Sequence, residues 1–218
     1  MDDHLVIAAT CTVAELLAFA QDPDAPWPRA RALITACCRA FSSSFKVWNT
    51  VTVGGNLCLA LPAGPMISMA VALDGMCRVL TPDRRERLVP AGDFVTGAGR
   101  TRMLQGDLLR SVSLPAAALE RHTTTHRMSL RPHGRSAALV TGTYAPDTSR
   151  LDIVVTAATN RPLTVPFLRP PSPPLLRARL QELLKPGLIV DDVHGHPAWR
   201  RQVTLQLAEA ALHELMGE

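Results

Sequence analysis

Asn49-Thr50-Val51-Thr52-Val53-Gly54-Gly55-Asn56-Leu57-Cys58 is the stretch on which the reading of this chain turns. β-Branched residues run straight into Gly-Gly-Asn, so the local expectation is a short strand entering a tight turn. The same residues have a second use. Two adjacent glycines let backbone N–H groups approach a phosphate with no Cβ in the way, and successive N–H groups then form an anion-binding nest. Thr52 can add a hydroxyl donor and Asn56 an amide. On local sequence alone, the plain turn and the phosphate loop both stand.

Upstream, Leu5-Val6-Ile7-Ala8 predicts a strand. Thr12, with Glu15 three residues on, predicts a capping box for a helix that carries Val13, Leu16, Leu17 and Ala20 on one face. Asp22-Pro23-Asp24-Ala25-Pro26 ends it. A second helix is expected from about Pro28 to Phe41, with Ala32, Leu33, Ala36 and Cys37 inward, and Ser42-Ser43-Ser44 breaks the pattern. Downstream, an apolar helix follows Pro65 through Ile67, Ala70, Val71 and Leu73. Cys77–Leu80, Arg87–Pro90 and Leu108–Leu114 read as strands, with Thr96-Gly97-Ala98-Gly99 as a loop. From about residue 120 the texture changes. Arg127–Leu130, Ala137–Tyr144 and Leu151–Ala157 read as strands, with a hairpin at Asp147-Thr148-Ser149. Arg169–Pro174 reads as a polyproline-like connection. Helices are expected over Leu175–Leu184 and Pro197–Leu215, the last with Val203, Leu207, Ala210 and Leu215 inward. A domain boundary is placed near residue 119.

Composition narrows the function. The 218 residues are 47% apolar, 19% charged and 4% aromatic, with a net charge of +4. Such a chain buries a core and is not disordered. Few aromatics and no dense basic stripe argue against nucleic acid. No apolar run approaches the roughly 20 residues of a membrane span. Met1-Asp2-Asp3-His4 lacks the basic head of a signal peptide. Five cysteines (Cys11, Cys37, Cys38, Cys58, Cys77) include no CxxC, which gives neither a metal site nor a disulfide framework, and points to reduced thiols in a cytoplasmic protein. Cys37 and Cys38 read as core. His122 and His126 sit on a strand pattern, and His194-Gly195-His196 beside Asp191-Asp192 reads as a solvated turn. No nucleophile elbow or carboxylate pair is present, so any redox activity needs a bound cofactor.

Asn49 to Leu61 resembles the second flavin-loop signature of the FAD-binding medium subunits of molybdenum hydroxylases, the xanthine dehydrogenase and carbon monoxide dehydrogenase family. Thr52-Val53-Gly54-Gly55-Asn56 and Pro62 stand in the motif, with Val51 in place of the usual glycine. Further similar segments follow in order. They are Ala72-Leu73-Asp74, Arg87-Leu88-Val89-Pro90, Asp93-Phe94-Val95-Thr96-Gly97, Thr101 to Leu104, Asp107-Leu108-Leu109 and Leu114-Pro115. Arg127-Met128-Ser129-Leu130-Arg131 resembles the opening of the family's C-terminal flavoprotein domain.

The resemblance implies an α+β fold. Residues 1–119 would be the second subdomain of a vanillyl-alcohol-oxidase-like (PCMH-type) FAD-binding domain. Residues 120–218 would be a small sheet-plus-helices C-terminal domain like that of the carbon monoxide dehydrogenase flavoprotein. It implies FAD as cofactor, held by Thr52, Val53, Gly54, Gly55, Asn56 and Leu104. Arg127 stands where many members place a Lys near the flavin. It implies electron transfer beside a molybdopterin-binding large subunit and a 2Fe-2S small subunit. The family's first subdomain, roughly 60 residues with a second Gly-rich loop, precedes the point where this sequence starts. The expectation is that a separate chain or an upstream segment supplies it, and that the 218 residues alone hold FAD weakly. The alternative is a flavin-free interaction module in such a complex.

Overall fold

The computed structural model describes residues 3–41 and 45–217. The expected break at Ser42-Ser43-Ser44 and the first two residues of the chain lie outside the described residues.

The chain opens on strand β1 (His4–Ala8) and helix α1 (Val13–Gln21). The capping box is present: Thr12 Oγ1 accepts from the Glu15 N–H at 3.1 Å, and the Thr12 N–H donates to the Glu15 carboxylate at 2.8 Å. Helix α2 (Pro28–Ala40) follows. Its inward face overlaps the expected one only in part. Leu33 and Cys37 are buried, but so are Ile34 and Cys38, while Ala32 is exposed. Ala30 and Ala40 are buried as well, so the inward face is rotated about the helix axis from the expected one.

After a single turn, α3 (Phe45–Trp48), come α4 (Val53–Leu59) and α5 (Pro65–Ala72). Every residue of α5 is buried. Next are β2 (Met76–Leu80), β3 (Glu86–Pro90), the turn α6 (Ala91–Phe94) and β4 (Val95–Gly97) paired with β5 (Arg100–Thr101). Thr96-Gly97-Ala98-Gly99 is therefore part of a small ribbon and not a free loop. Strand β6 (Leu108–Pro115) leads into the turn α7 (Ala116–Leu119). The first sheet is antiparallel in the order β1-β6-β2-β3.

The second sheet, β10-β9-β8-β7, is also antiparallel. Strand β7 runs His122–Met128, so it begins five residues before the expected strand and ends before Ser129. β8 (Ala138–Ala145) and β9 (Arg150–Thr156) are buried along almost their whole length. They are covered on one side by the C-terminal helix and on the other by α5. That burial is why neither strand alternates apolar and polar residues along its length. β10 (Leu163–Phe167), unexpected from the sequence, is a short edge strand interrupted by Pro166.

Helix α8 (Pro173–Leu183) takes Pro173 and Pro174 as its first residues, which shortens the expected polyproline connection. A 3₁₀ turn (Pro186–Leu188) precedes α9 (Pro197–Met216). On α9, Val203 is buried, whereas Leu207, Ala210 and Leu215 are only half-buried. Arg200, 1% exposed, anchors this helix. It donates to the carbonyls of Gly195, Ala137 and Ala157 at 2.9, 2.7 and 2.8 Å and pairs with Asp192.

Candidate flavin site

The residues Asn49–Cys58 form no strand-to-turn unit. Thr52 caps the N-terminus of α4, and Gly54 and Gly55 sit in its first turn with ordinary negative φ. Helix α4 starts there because the connection after β1 lies against it. The Val53 N–H donates to the Cys11 carbonyl at 2.8 Å and the Gly54 N–H to the Ala9 carbonyl at 2.9 Å. Gly54 is buried, and a Cβ there would lie 2.5 Å from the Ala9 Cβ and 2.7 Å from its oxygen. Only glycine permits that approach.

Gly55 differs. It is exposed, and its N–H donates to Thr52 Oγ1 at 3.0 Å. A Cβ there would meet Thr52 Oγ1 alone, at 2.9 Å. Of the expected nest, then, the Val53 and Gly54 donors are already spent on the protein, and the Gly55 N–H is spent on the Thr52 hydroxyl oxygen. What faces outward is the exposed Gly55 backbone with the Thr52 hydroxyl, at the positive end of a short helix. This remaining edge fits a phosphate oxygen: it offers the Thr52 hydroxyl as donor, an open surface and no Cβ on Gly55.

Asn56 is 7% exposed. Its Oδ1 accepts from the Met66 N–H at 3.2 Å and so satisfies an orphan donor of α5. It lines a pocket of about 90 Å³ with Phe41, Leu61, Gly64, Pro65 and Arg135. Leu104 is 72% exposed, and its N–H donates to Asp107 Oδ2 at 2.8 Å. Asp107, with its side chain buried, takes Arg87 at 2.6 Å. The Leu104 loop is held to α4 by Cys58 Sγ and Met103 Sδ at 3.5 Å, and by the Gly99 N–H to the Ala60 carbonyl at 2.9 Å.

Arg127 is on β7 and closes the β7–β8 connection by donating to the Gly134 carbonyl at 2.7 Å. Among the described residues, no hydrogen bond or ion pair links Leu104 or Arg127 to Thr52–Asn56. Arg135, beside Asn56 at the pocket, carried no signal in the sequence. It is an exposed Arg in a loop, and only the hairpin places it there. The cysteines are free. Burial pushes the Cys37 thiol well above the ordinary range and the Cys38 and Cys77 thiols up to about 12, so none of these three is a ready nucleophile.

Residues 1–117 match the family described as the FAD binding domain in molybdopterin dehydrogenase. Xanthine dehydrogenase 2 of Arabidopsis thaliana is 30% identical over 87 residues, which is 37% of this chain and only 6% of that protein. Among solved structures, a reconstituted CO dehydrogenase from Oligotropha carboxidovorans superposes with a TM-score of 0.81 at 18% identity. It covers all of this chain and 77% of that one. Quinoline 2-oxidoreductase from Pseudomonas putida 86 gives 0.79 at 17% identity, over all of this chain and 76% of that one. At such identities these two likenesses concern the fold, a mixed α/β architecture. With 117 of its 218 residues matched, the chain belongs to the family of FAD-binding domains of molybdopterin dehydrogenases, whose cofactor is FAD.

Proposed function

We propose that this chain is the FAD-holding, electron-transferring part of a molybdopterin-dependent hydroxylase or dehydrogenase. In this reading, residues 1–119 are the second subdomain of a PCMH-type FAD-binding domain and residues 120–218 the C-terminal flavoprotein domain. Bound FAD supplies the electron-carrier chemistry that the side chains lack. Gly55 and Thr52 hold a phosphate oxygen, Asn56 orients the cofactor's polar edge, and the Leu104 loop covers it. Electrons come from a 2Fe-2S subunit, a molybdopterin-binding large subunit oxidises the substrate, and the complex works in the cytoplasm. The family match over residues 1–117 carries the proposal.

One observation favours the second reading, a flavin-free interaction module. The Val53 and Gly54 N–H groups, which a full anion nest would turn outward, are already bonded to Cys11 and Ala9. The two readings part on FAD titration of the chain followed by amide NMR, which detects weak binding. Saturable shifts at Thr52, Gly55 and Asn56 support the flavoprotein reading. An unperturbed spectrum at millimolar FAD supports the module.

A further inference from the structure

Two side chains that line the pocket beside α5, Asn56 and Arg135, carry N–H donors. Asn56 Oδ1 is fixed by the Met66 N–H at 3.2 Å, and Gly64 packs so closely that a Cβ there would lie 2.9 Å from that oxygen. The amide is thereby oriented, and its Nδ2 has no protein acceptor among the described residues. Arg135 lines the same pocket, is exposed, and makes no ion pair or hydrogen bond among the described residues. No carboxylate is among the described lining residues. An oriented amide N–H₂ that reaches solvent beside an unpaired guanidinium can receive an acceptor-rich ligand edge. A volume of about 90 Å³ admits one such edge and not a whole three-ring system.

Arg127, the cation that the family resemblance marks, is otherwise engaged. Its Nη2 donates to the Gly134 carbonyl at 2.7 Å, and its Nε is buried without an acceptor. We propose that Arg135 is the cation facing the polar acceptor edge of FAD in this pocket, and that Arg127 is a positioning residue acting through it by closing the hairpin at Gly134. The inference rests on the flavoprotein reading above.

The test is a double-mutant cycle on the full chain. FAD affinity is measured by amide NMR for wild type, Arg135→Gln, Arg127→Gln and the double variant, with thermal unfolding as the control for folding. Loss of a charged contact predicts that Arg135→Gln weakens FAD binding about 10- to 100-fold. Arg127→Gln weakens it less and shifts the Gly134 and Arg135 amides. In the Arg135→Gln background it weakens binding no further. Wild-type affinity in Arg135→Gln overturns the role of Arg135. An undiminished effect of Arg127→Gln in the double variant shows that Arg127 touches the ligand itself, and overturns the positioning role. Wild type that takes up no FAD removes the flavoprotein reading and this inference with it. The first two results leave that reading intact.

Discussion

At Gly54 any side chain collides with the backbone of Ala9, while at Gly55 it collides only with a hydroxyl that can rotate. The two glycines should therefore separate stability from binding. Gly54→Ala forces α4 off the β1–α1 connection and is expected to cost about 1–3 kcal/mol, as overpacking generally does. Urea unfolding measures it. Gly55→Val should leave the unfolding midpoint close to wild type while abolishing FAD-induced shifts, because the branched side chain closes the open surface beside the Thr52 hydroxyl. An unfolded Gly55→Val, or one that binds FAD normally, would contradict the assignment. The sequence marked this pair as special, but it did not distinguish them. The distinction comes from Ala9, more than forty positions away, and no local pattern records that contact. The Gly-Gly-Asn turn chemistry lost to helix formation for the same reason: tertiary bonds to Ala9 and Cys11 fix the start of α4.

Helix ends are the next level, and there the sequence was more informative. The Thr12–Glu15 pair was legible because a capping box is local. Hydrogen bonds from the Thr12 backbone N–H and then its hydroxyl hold the Glu15 carboxyl below the usual range. A depressed carboxylate contributes stability above its unfolded pKa and loses it as pH falls through the folded value. Wild type should thus lose α1 amide protection below about pH 4.5, and Glu15→Gln should show no such step in hydrogen exchange. An identical pH profile in both would refute the linkage. Asn56 acts on α5 across ten residues, beyond any capping signature. Asn56→Ala leaves the buried Met66 N–H without its acceptor, at an expected cost of about 1–3 kcal/mol. Asn56→Asp keeps the acceptor and should recover most of that loss in chemical denaturation.

The whole molecule is joined through α5. Ser68 Oγ and Thr141 Oγ1, both fully buried, meet at 3.1 Å between α5 and β8. The Ala157 N–H reaches the Pro62 carbonyl at 2.7 Å. Arg121 bridges Asp74, just after α5, to Asp152 on β9. The chain passes from one sheet to the other between β6 and β7, yet the packing between the two predicts one cooperative unfolding transition and not two. Arg121→Ala should shift that transition by about 1–3 kcal/mol, because it removes the charged bond to Asp74 while Asp152 keeps Arg150 at 2.8 Å. Coincident fluorescence and circular dichroism curves would agree, and two separate transitions would not. The order of strands and helices was largely readable from periodicity. β10 was not, because a five-residue edge strand containing Pro166 leaves too short a pattern. The pocket was only partly readable, since Arg135 and Asn56 come to line it through a hairpin that no spacing reveals. The central claim remains that this chain holds FAD at Thr52, Gly55 and Asn56. Its most direct test is NMR titration of the 218-residue chain with FAD. The account predicts saturable shifts centred on those three residues and on Arg135, all lost in Gly55→Val. Shifts elsewhere, or none at millimolar FAD, would contradict it.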